Sequence, residues 1–333
     1  MTTIFTEQKY MANARTTKSK INNSWNKYWQ DSNDTSAFNN SGASHPGLSG
    51  FWTAFFDTSM RDYKKPKVLD IASGNGAVVG CAVLAFEEIK SEITSLDASA
   101  AAVENIKARF PSVRGIVADA RSMPLEAGSF DIVSSQFGAE YAGHEAVYEA
   151  ARMVADGGQL VLLLHIKSGS IHFECQQSLD AIKRLRTCQF MPLVAQMFNA
   201  AFAVVDGAER TAYEKAVSQL APAIQELEAI MKQYGNNVAS DTIFRLYNDV
   251  RHMYQRIQHY NADDVITWLD NIDNEIDAYA DRMSSMLLSS INDANFEQLK
   301  SALRDLDFSI KSAEKFFLPN NELPLAWLLI AKK

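Results

Sequence analysis

Residues 70–78 read DIASGNGAV, and the apolar residues Val68 and Leu69 stand directly before them. The stretch has the form of a buried strand that ends in a turn, with Gly74 and Gly76 two residues apart. Glycine lets the backbone approach a ligand closely, because no side chain stands in the way. The stretch therefore predicts a ligand-binding turn at the carboxyl end of a strand.

The surrounding sequence, from residue 67 to 166, alternates short β-branched runs with helical stretches. This alternation is typical of a parallel sheet covered by helices, and right-handed crossovers make such a sheet doubly wound. Its ligand binds at the carboxyl ends of the strands. The predicted strands are 67–71, 92–96, 113–117, 130–135 and 159–166, and the predicted helices are 76–90, 99–109 and 144–155, the last with a left-handed cap at Gly157 and Gly158.

The helical character of the chain increases after residue 170. Apolar residues recur with helical spacing up to about residue 294, with almost no strand signal. The segment 308–331 then predicts two strands joined by a turn, which return to the sheet. The predicted domains are an N-terminal helical lid at 1–66, a core at 67–168 and 294–333, and a helical insertion at 169–293 that serves as a substrate cap or as an oligomerisation module.

The composition favours a globular protein with a small-molecule substrate. With 333 residues, 47% of them hydrophobic, the chain can bury a substantial core. Its formal charge of -8 argues against broad binding to nucleic acid, which requires an excess of lysine and arginine. The N-terminal stretch is the exception, because its basic residues form either a solvated helix face or a surface for an anion. They are Lys9, Arg15, Lys18, Lys20 and Lys27.

Three cysteines, Cys81, Cys175 and Cys188, are too few for a disulfide framework and fit a reducing cytoplasm. We expect no metal site, because His172 and Cys175 have no second pair of ligands at zinc spacing. The N-terminus lacks the continuous apolar region of a signal peptide. The longest uncharged stretch, 187–205, contains proline and amides, so we expect no membrane span and a cytoplasmic location.

The glycine turn departs from the dinucleotide-binding pattern Gly-x-Gly-x-x-Gly, because Val79 occupies the sixth position. Carboxylates follow the first two predicted strands, at Asp70 and Asp97. A carboxylate at the tip of the second strand can accept both hydroxyls of a ribose. With acidic residues and no phosphate-binding lysine or arginine expected nearby, the turn suits an adenosine cofactor without phosphates.

These residues, with GIVADARSMPL at 115–125 and SFDIVSSQFGAEYA at 129–142, resemble the class I S-adenosylmethionine-dependent methyltransferases. The resemblance implies a doubly wound, mostly parallel seven-stranded sheet with an antiparallel last strand, to which this chain adds a large all-helical insertion after strand five. It also implies that S-adenosylmethionine is the cofactor. Ala72 stands where the family more often has a glycine.

The same resemblance implies a role for several residues. Asp97 would bind the ribose, Asp119 would lie beside the adenine amino group, and the segment 135–137 would pass beneath the methionine part of the cofactor. The implied cofactor-binding residues are Asp70, Ala72, Ser73, Gly74, Gly76, Asp97, Ala98, Asp119, Ala120, Gln136 and Phe137, with Trp29 added from the predicted lid.

The methyl acceptor should lie at the tips of strands four and five. Glu140, Tyr141 and His144 follow strand four, and His165 ends strand five, so these four are the candidate catalytic residues. His165 is either a general base, since histidine titrates near neutral pH, or a histidine bonded to the backbone. The fourth strand lacks the Asn- or Asp-Pro-Pro-aromatic segment that accompanies methylation of base amino groups in this superfamily.

Two apolar groups leave alternatives open. Trp25, Trp29 and Trp52 either pack on the sheet or cover the cofactor as part of the lid. The segment 190–202 is apolar nearly all round, so it forms either a hydrophobic substrate pocket or a homodimer interface.

The leading hypothesis is a cytoplasmic enzyme that transfers a methyl group to a small, hydrophobic or aromatic acceptor under a helical cap. A second hypothesis is methylation of RNA or protein, with the basic N-terminal arm as the docking element. A third is a non-catalytic cofactor-binding protein whose helical insertion binds a partner.

Overall fold

The structure is a computed structural model that describes residues 24–30, 45–59 and 62–333. Most of the predicted lid at 1–66 therefore lies outside the described residues. The same holds for four of the five basic residues of the N-terminal stretch, Lys9, Arg15, Lys18 and Lys20.

A seven-stranded sheet with the order β3-β2-β1-β4-β5-β7-β6 forms the centre of the fold. Neighbours from β3 to β5 pair in parallel, and β7 pairs antiparallel with both β5 and β6. The predicted doubly wound sheet with a reversed last strand is thus confirmed. The strands are β1 Lys67–Ile71, β2 Glu92–Asp97, β3 Arg114–Val117, β4 Phe130–Gln136, β5 Val154–His165, β6 Ser309–Phe316 and β7 Ala326–Lys332.

Helices cover both faces of this sheet. The central strand β1 is buried at all but its first residue, as expected for a parallel strand with helices on both sides. Ser99 caps the helix after β2 by accepting the amide of Ala102 at 3.2 Å. The helices around the sheet are α1 at 24–30, α2 Pro46–Ser59, α3 Ala77–Ala85, α4 Ala100–Arg109, α5 His144–Met153 and α11 Asp293–Asp305, and a 3-10 turn follows β4 at Ala139–Ala142.

Two predicted boundaries were wrong. Helix α3 ends at Ala85 rather than near residue 90, because the chain continues in turns such as the bond from the Ile89 amide to the Phe86 carbonyl. Gly157 has the expected positive φ of 79°, but it lies within β5 and not at a helix cap. There the pairing of β5 with β4 shifts register, and the Gly157 amide donates to the carbonyl of Lys333 at 3.1 Å.

The chain divides into two compact units, the first comprising 1–173 and 285–333 and the second 174–284. Five helices make up the segment between β5 and α11: α6 Ser170–Thr187, α7 Phe190–Val205, α8 Thr211–Tyr234, α9 Thr242–Gln255 and α10 Ala262–Ser289. The main chain closes this excursion at its base. The amide of Ile291 donates to the carbonyl of His165 at 2.7 Å, and the amide of Lys167 donates to the carbonyl of Ile291 at 2.9 Å.

The second unit has its own hydrophobic core, to which α7 contributes heavily. Phe190, Met191, Val194, Met197 and Phe198 are all buried in it. The apolar surface of α7 is therefore used inside the unit, which removes the reason for expecting a substrate pocket or a homodimer interface at these residues. Within the described part of the chain, no single helix is long and apolar enough to cross a membrane, and only α6 and α7 taken together, with a 44° bend between them, reach that length and apolarity.

Candidate active site

The turn after β1 requires glycine at two positions. Gly74 has φ 51°, and a Cβ atom placed there would lie 2.7 Å from the ring of Trp29. Gly76 has φ 80°, and its Cβ would lie 2.9 Å from the side chain of Ile106. Both positions therefore combine a left-handed backbone with a lack of space, so any other residue there would strain the turn.

Ala72, which replaces the commoner glycine, adopts the left-handed conformation with φ 54°. Its methyl group is accommodated by Gly138, just beyond β4, where a Cβ atom would lie 2.4 Å from the Cβ of Ala72. The sequence reasoning missed Gly138. The only indication in the sequence was a glycine directly after the segment 135–137. Its role cannot be predicted locally, because it depends on a contact between the ends of β1 and β4.

Asp97 lies at the tip of β2 beside the glycine turn. Its Oδ2 accepts the amide of Gly74 at 2.9 Å, and its Oδ1 accepts the amide of Ser99 at 2.8 Å. Burial raises the pKa of Asp97, while the amides of Ser99 and Gly74 lower it. A carboxylate offers about four acceptor positions. The group can therefore hold the turn in place and still accept the hydroxyls of a ribose.

Asp70 has a different environment. It is buried at the end of β1, and its Oδ1 accepts the hydroxyl of Ser134 at 2.8 Å. Burial raises the pKa of Asp70 to about 7, against the lowering effect of the Ser134 and Ser73 hydroxyls. The Ser73 hydroxyl also donates to the carbonyl of Asp70 at 2.9 Å. Asp70 and Ser73 thus support the turn from beneath, within the sheet.

Helix α1 docks on this turn and on the start of α4. Trp29 is only 8% exposed and lies against Gly74. The Oδ1 of Asn26 accepts the hydroxyl of Ser99 at 2.9 Å and the amide of Ala101 at 3.3 Å. The amide group of Asn105 donates to the carbonyl of Trp29 at 2.7 Å. The part of the predicted lid that contains Trp29 therefore covers the glycine turn.

Two arginines stand close to this region, where the sequence reasoning expected no phosphate-binding lysine or arginine. Arg121 pairs with Asp119 through three side-chain hydrogen bonds, the shortest one 2.7 Å from Nη2 to Oδ2. Arg109 donates to the carbonyl of Asn75 in the glycine turn at 2.6 Å. Both guanidinium groups are engaged by oxygens of the chain itself, so their presence does not contradict the expectation that no arginine here binds phosphate. Ala98 is exposed beside Asp97, and Ala120 is buried beside Asp119.

The tip of β4 is anchored by α2. The indole of Trp52 donates to the Oε1 of Gln136 at 2.6 Å, and Trp52 is buried. Of the two alternatives for Trp52, the structure therefore favours packing on the sheet over covering the cofactor. The next residue, Phe137, has φ 52° and places its ring 5.6 Å from the ring of His165.

His165 and Tyr141 form a hydrogen-bonded pair at the tips of β5 and β4. The Tyr141 hydroxyl lies 3.2 Å from the Nδ1 of His165, which is 1% exposed. Burial lowers the pKa of His165 to about 3, and the charge of His172 lowers it further, while a hydrogen bond to the Met286 backbone opposes this shift. The ring is therefore neutral. In the neutral ring, Nδ1 accepts the Tyr141 hydroxyl in one tautomer and donates to its oxygen in the other.

We expect His165 to remain neutral between pH 5 and pH 8, since its pKa is lowered to about 3. The 13Cε1 and 15N chemical shifts of its imidazole, assigned by comparison with His165→Asn, should stay at neutral values across that range. A titration midpoint near 6.5, the value of an exposed histidine, would show that the ring is not desolvated.

Glu140 and His144 complete the set of predicted catalytic residues. Glu140 is 5% exposed, and its Oε1 accepts the amide of His165 at 2.8 Å. Burial raises the pKa of Glu140 to about 7, although backbone amides, that of His165 foremost, lower it. His144 begins α5 and is half-buried. The structure thus brings Glu140, Tyr141 and His165 into direct contact, and His144 lies one short turn away.

One further aromatic residue belongs to this cluster. Trp25 of α1 stacks on Trp29 with ring centroids 6.2 Å apart and lies 5.9 Å from the ring of Tyr141. Among residues 24–30, 45–59 and 62–333 no group of three histidine, cysteine or acidic side chains is placed to hold a metal ion. The arrangement therefore combines an aromatic surface with one carboxyl group, Glu140, whose pKa of about 7 suits proton transfer near neutral pH.

Comparisons with known proteins place this sheet among methyltransferases. A protein-family profile described as a methyltransferase domain matches residues 69–162. The ubiquinone/menaquinone biosynthesis C-methyltransferase UbiE of Campylobacter jejuni subsp. jejuni serotype O:6 is 34% identical over 105 residues, which make up 30% of this chain and 45% of that protein. An uncharacterized methyltransferase of Schizosaccharomyces pombe, C25B8.09, is 25% identical over 174 residues, 51% of this chain and 65% of that protein.

This chain therefore spans less than half the length of the first of these relatives and just under two thirds of the second. Among solved structures, phosphoethanolamine N-methyltransferase 1 of Haemonchus contortus is 19% identical with a TM-score of 0.37, over 46% of this chain and 33% of that one.

The matched segment contains most of the region that the geometry singles out. Residues 69–162 include the glycine turn, Asp97 at the tip of β2 and Glu140 and Tyr141 after β4. Beyond that segment, β6 and β7 close the sheet as the reversed hairpin that the resemblance implied. By its motif, by its strand order and by the profile matched over residues 69–162, this chain is similar to the class I S-adenosylmethionine-dependent methyltransferases.

Proposed function

We propose that this chain transfers a methyl group from S-adenosylmethionine to a small acceptor with an apolar or aromatic body. The observation that carries the proposal is the position of Asp97, whose carboxylate is held against the Gly74 amide at the carboxyl end of the sheet. A glycine turn with a carboxylate at the next strand tip fits the adenosine part of this cofactor.

The proposed donor site uses residues from four strand ends. Asp97 accepts the ribose hydroxyls, and Ala98, Asp119 and Ala120 lie beside the adenine. Ser73, Gly74 and Gly76 form the turn, which Asp70 and Ala72 support, while Gln136 and Phe137 pass beneath the methionine part. Trp29 covers the turn, and its aromatic face is attractive to a sulfonium. The bound cofactor would supply a methyl group on a positively charged sulfur. The acceptor would attack that methyl carbon in line with the carbon–sulfur bond, and the sulfur would be the leaving group.

The proposed acceptor side is the cluster at the tips of β4 and β5. The rings of Phe137, Tyr141 and Trp25 give it an apolar, aromatic character that suits a compact unsaturated acceptor. His165 stays neutral because its pKa is lowered to about 3, so Glu140, whose pKa is raised to about 7, is the group that takes a proton from the acceptor. Two observations favour a small molecule over a macromolecule: the net charge of -8 and the name of the Campylobacter relatives, which act in quinone biosynthesis.

The experiment is a binding measurement followed by an activity assay. Calorimetry should give saturable binding of S-adenosylmethionine and of its demethylated product. Incubation of the full chain with S-adenosylmethionine labelled in the methyl group and with a panel of phenols, quinols and amines should then label at least one of them.

The same experiment separates the alternatives. Binding without transfer to any small molecule, RNA or protein would favour a non-catalytic cofactor-binding protein. Labelling of RNA, with an affinity that falls steeply as salt rises, would favour a macromolecular substrate docked by the basic N-terminal arm. Sedimentation of the full chain shows whether it forms a homodimer through residues other than those of α7, and absence of cofactor binding at millimolar concentration would refute the donor site itself.

A further inference from the structure

A pocket of about 290 Å³ opens beside the tip of β4, within the first compact unit. Its walls come from the 3-10 turn after β4, from the start of α5 and from the segment that leads from α10 into α11. Glu140, Tyr141 and His144 form one side, and Val147, Leu288 and Ile291 give it apolar surface. Leu288 is 85% exposed, which is unusual for a leucine and leaves its side chain available for contact.

One side chain in this wall has an unused hydrogen-bonding atom. The Oε1 of Glu140 accepts the amide of His165. The amides of Glu140 and Gly138 also lower the pKa of this carboxyl group, but within the described part of the chain its buried Oε2 accepts no hydrogen bond of normal geometry. A buried polar atom without a partner is destabilising, so such atoms are rare in native proteins and point to a missing partner. For the ionised form of this carboxyl group, which predominates above the pKa of about 7, the missing partner is a hydrogen-bond donor.

We propose that this pocket binds the acceptor, and that Glu140 recognises an O–H or N–H group on it through Oε2. The acceptor class is then a compact apolar molecule that carries a hydroxyl or an amine. This inference rests on the proposed function, since it assigns the acceptor's recognition group within that same site. It makes Glu140 the residue that distinguishes a free hydroxyl or amine from its methylated or donor-free counterpart.

The substitution Glu140→Gln gives a sharp test because the two oxygens of Glu140 have different partners. The amide of His165 still requires an acceptor, so the glutamine oxygen must take the place of Oε1. The NH₂ group then takes the place of Oε2 and presents a donor to the pocket instead of an acceptor. The variant should therefore reverse the preference of the pocket without changing its size.

The probes are 1-naphthol, which has a hydroxyl donor, and 1-methoxynaphthalene, which has the same ring system and only an acceptor. Each is titrated into the 15N-labelled full chain and followed by the amide signals of Ala142, Gly143 and Ser290. We expect the wild-type protein to bind 1-naphthol at least about tenfold more tightly than 1-methoxynaphthalene, as one charge-assisted hydrogen bond would give. Glu140→Gln should lose that preference or reverse it.

Benzylamine distinguishes the two donor types. Tighter binding of benzylamine than of 1-naphthol would identify an ammonium group as the natural donor, and the opposite order a hydroxyl. Glu126→Gln is the matched control, because it removes the same charge from an exposed glutamate outside the pocket. That variant should keep the wild-type preference.

Equal affinity of the wild-type protein for 1-naphthol and 1-methoxynaphthalene, or an unchanged preference in Glu140→Gln, would overturn the inference. The affinity for S-adenosylmethionine is measured in parallel, because Glu140 is not among the proposed donor-site residues. If Glu140→Gln loses the preference for 1-naphthol but still binds S-adenosylmethionine, the change is confined to the acceptor pocket. If the wild-type protein prefers 1-naphthol but does not bind S-adenosylmethionine, the proposed function is refuted while the pocket's preference for a donor group stands.

Discussion

Replacing Asp97 with alanine should abolish the binding of S-adenosylmethionine. The carboxylate lies at the tip of β2 and is held by the amides of Gly74 and Ser99, and its remaining lone pairs are the acceptors that we propose for the ribose hydroxyls. Hydrogen bonds to a charged group contribute about 1.5–3 kcal/mol each, and losing two of them lowers affinity by roughly 100-fold or more. Isothermal titration calorimetry of the full chain measures the change directly.

The matched control is Glu92→Ala, which removes a carboxylate from the opposite end of the same strand. Glu92 is exposed and pairs with Lys67 at 3.8 Å, so this variant should bind the cofactor as the wild type does. Urea denaturation of both variants shows whether the turn still folds. If Asp97→Ala bound the cofactor within about threefold of the wild type, Asp97 could not be the ribose ligand.

Gly138→Ala should destabilise the fold strongly, and Ala72→Gly should rescue it. A Cβ atom at position 138 would lie 2.4 Å from the Cβ of Ala72, where no flexible side chain can yield. Overpacking of this kind costs about 1–3 kcal/mol, and we expect a value near the upper end of that range. The single change Ala72→Gly removes a left-handed alanine at φ 54° and should leave stability within about 1 kcal/mol of the wild type.

A double-mutant cycle measures the coupling between these positions. In the Ala72→Gly, Gly138→Ala double variant the clashing methyl group is gone, so most of the lost stability should return and the coupling energy should exceed about 1 kcal/mol. Gly50→Ala is the control, because a Cβ there meets nothing within 4 Å and lies in the exposed part of α2. Strictly additive effects of the changes at 72 and 138 would disprove the contact.

The sheet could be predicted well because each strand has a recognisable pattern in its own local sequence. The apolar run of β1 reflects burial on both faces, and its limits, Lys67–Ile71, are those expected from the sequence. Gly157 shows where local reasoning fails, since a glycine after a helix suggests a cap. Its positive φ serves instead an irregular pairing of β4 with β5 and a bond to Lys333, both of which are distant in sequence.

The sequence indicated which residues belong to the candidate site, but it did not indicate which of them contact one another. Strand tips pointed to Asp97, Glu140 and His165, since the carboxyl ends of parallel strands meet at one edge. The protonation of His165 could not be predicted, because it depends on complete burial and on the Met286 backbone, far along the chain. The docking of Asn26 on Ser99 was likewise invisible, since asparagine in a helix carries no signal of its partner.

The apolar helix α7 illustrates a different limit. Its composition indicates burial on several sides, and that inference holds for Phe190, Val194 and Phe198. Composition does not say what buries them, and the five helices of the insertion provide that partner themselves. A sequence can thus indicate that a surface is covered without indicating whether the same chain covers it.

The two backbone hydrogen bonds at Ile291 affect how the helical insertion can change during evolution. The hydrogen bonds from Ile291 to His165 and from Lys167 to Ile291 join the two ends of the insertion. With respect to the sheet, the insertion is therefore a closed loop. The entropy of closing a loop grows only with the logarithm of its length, about 0.6 kcal/mol for each doubling. Whole helices can therefore be gained, lost or exchanged between these two points with little penalty to the sheet.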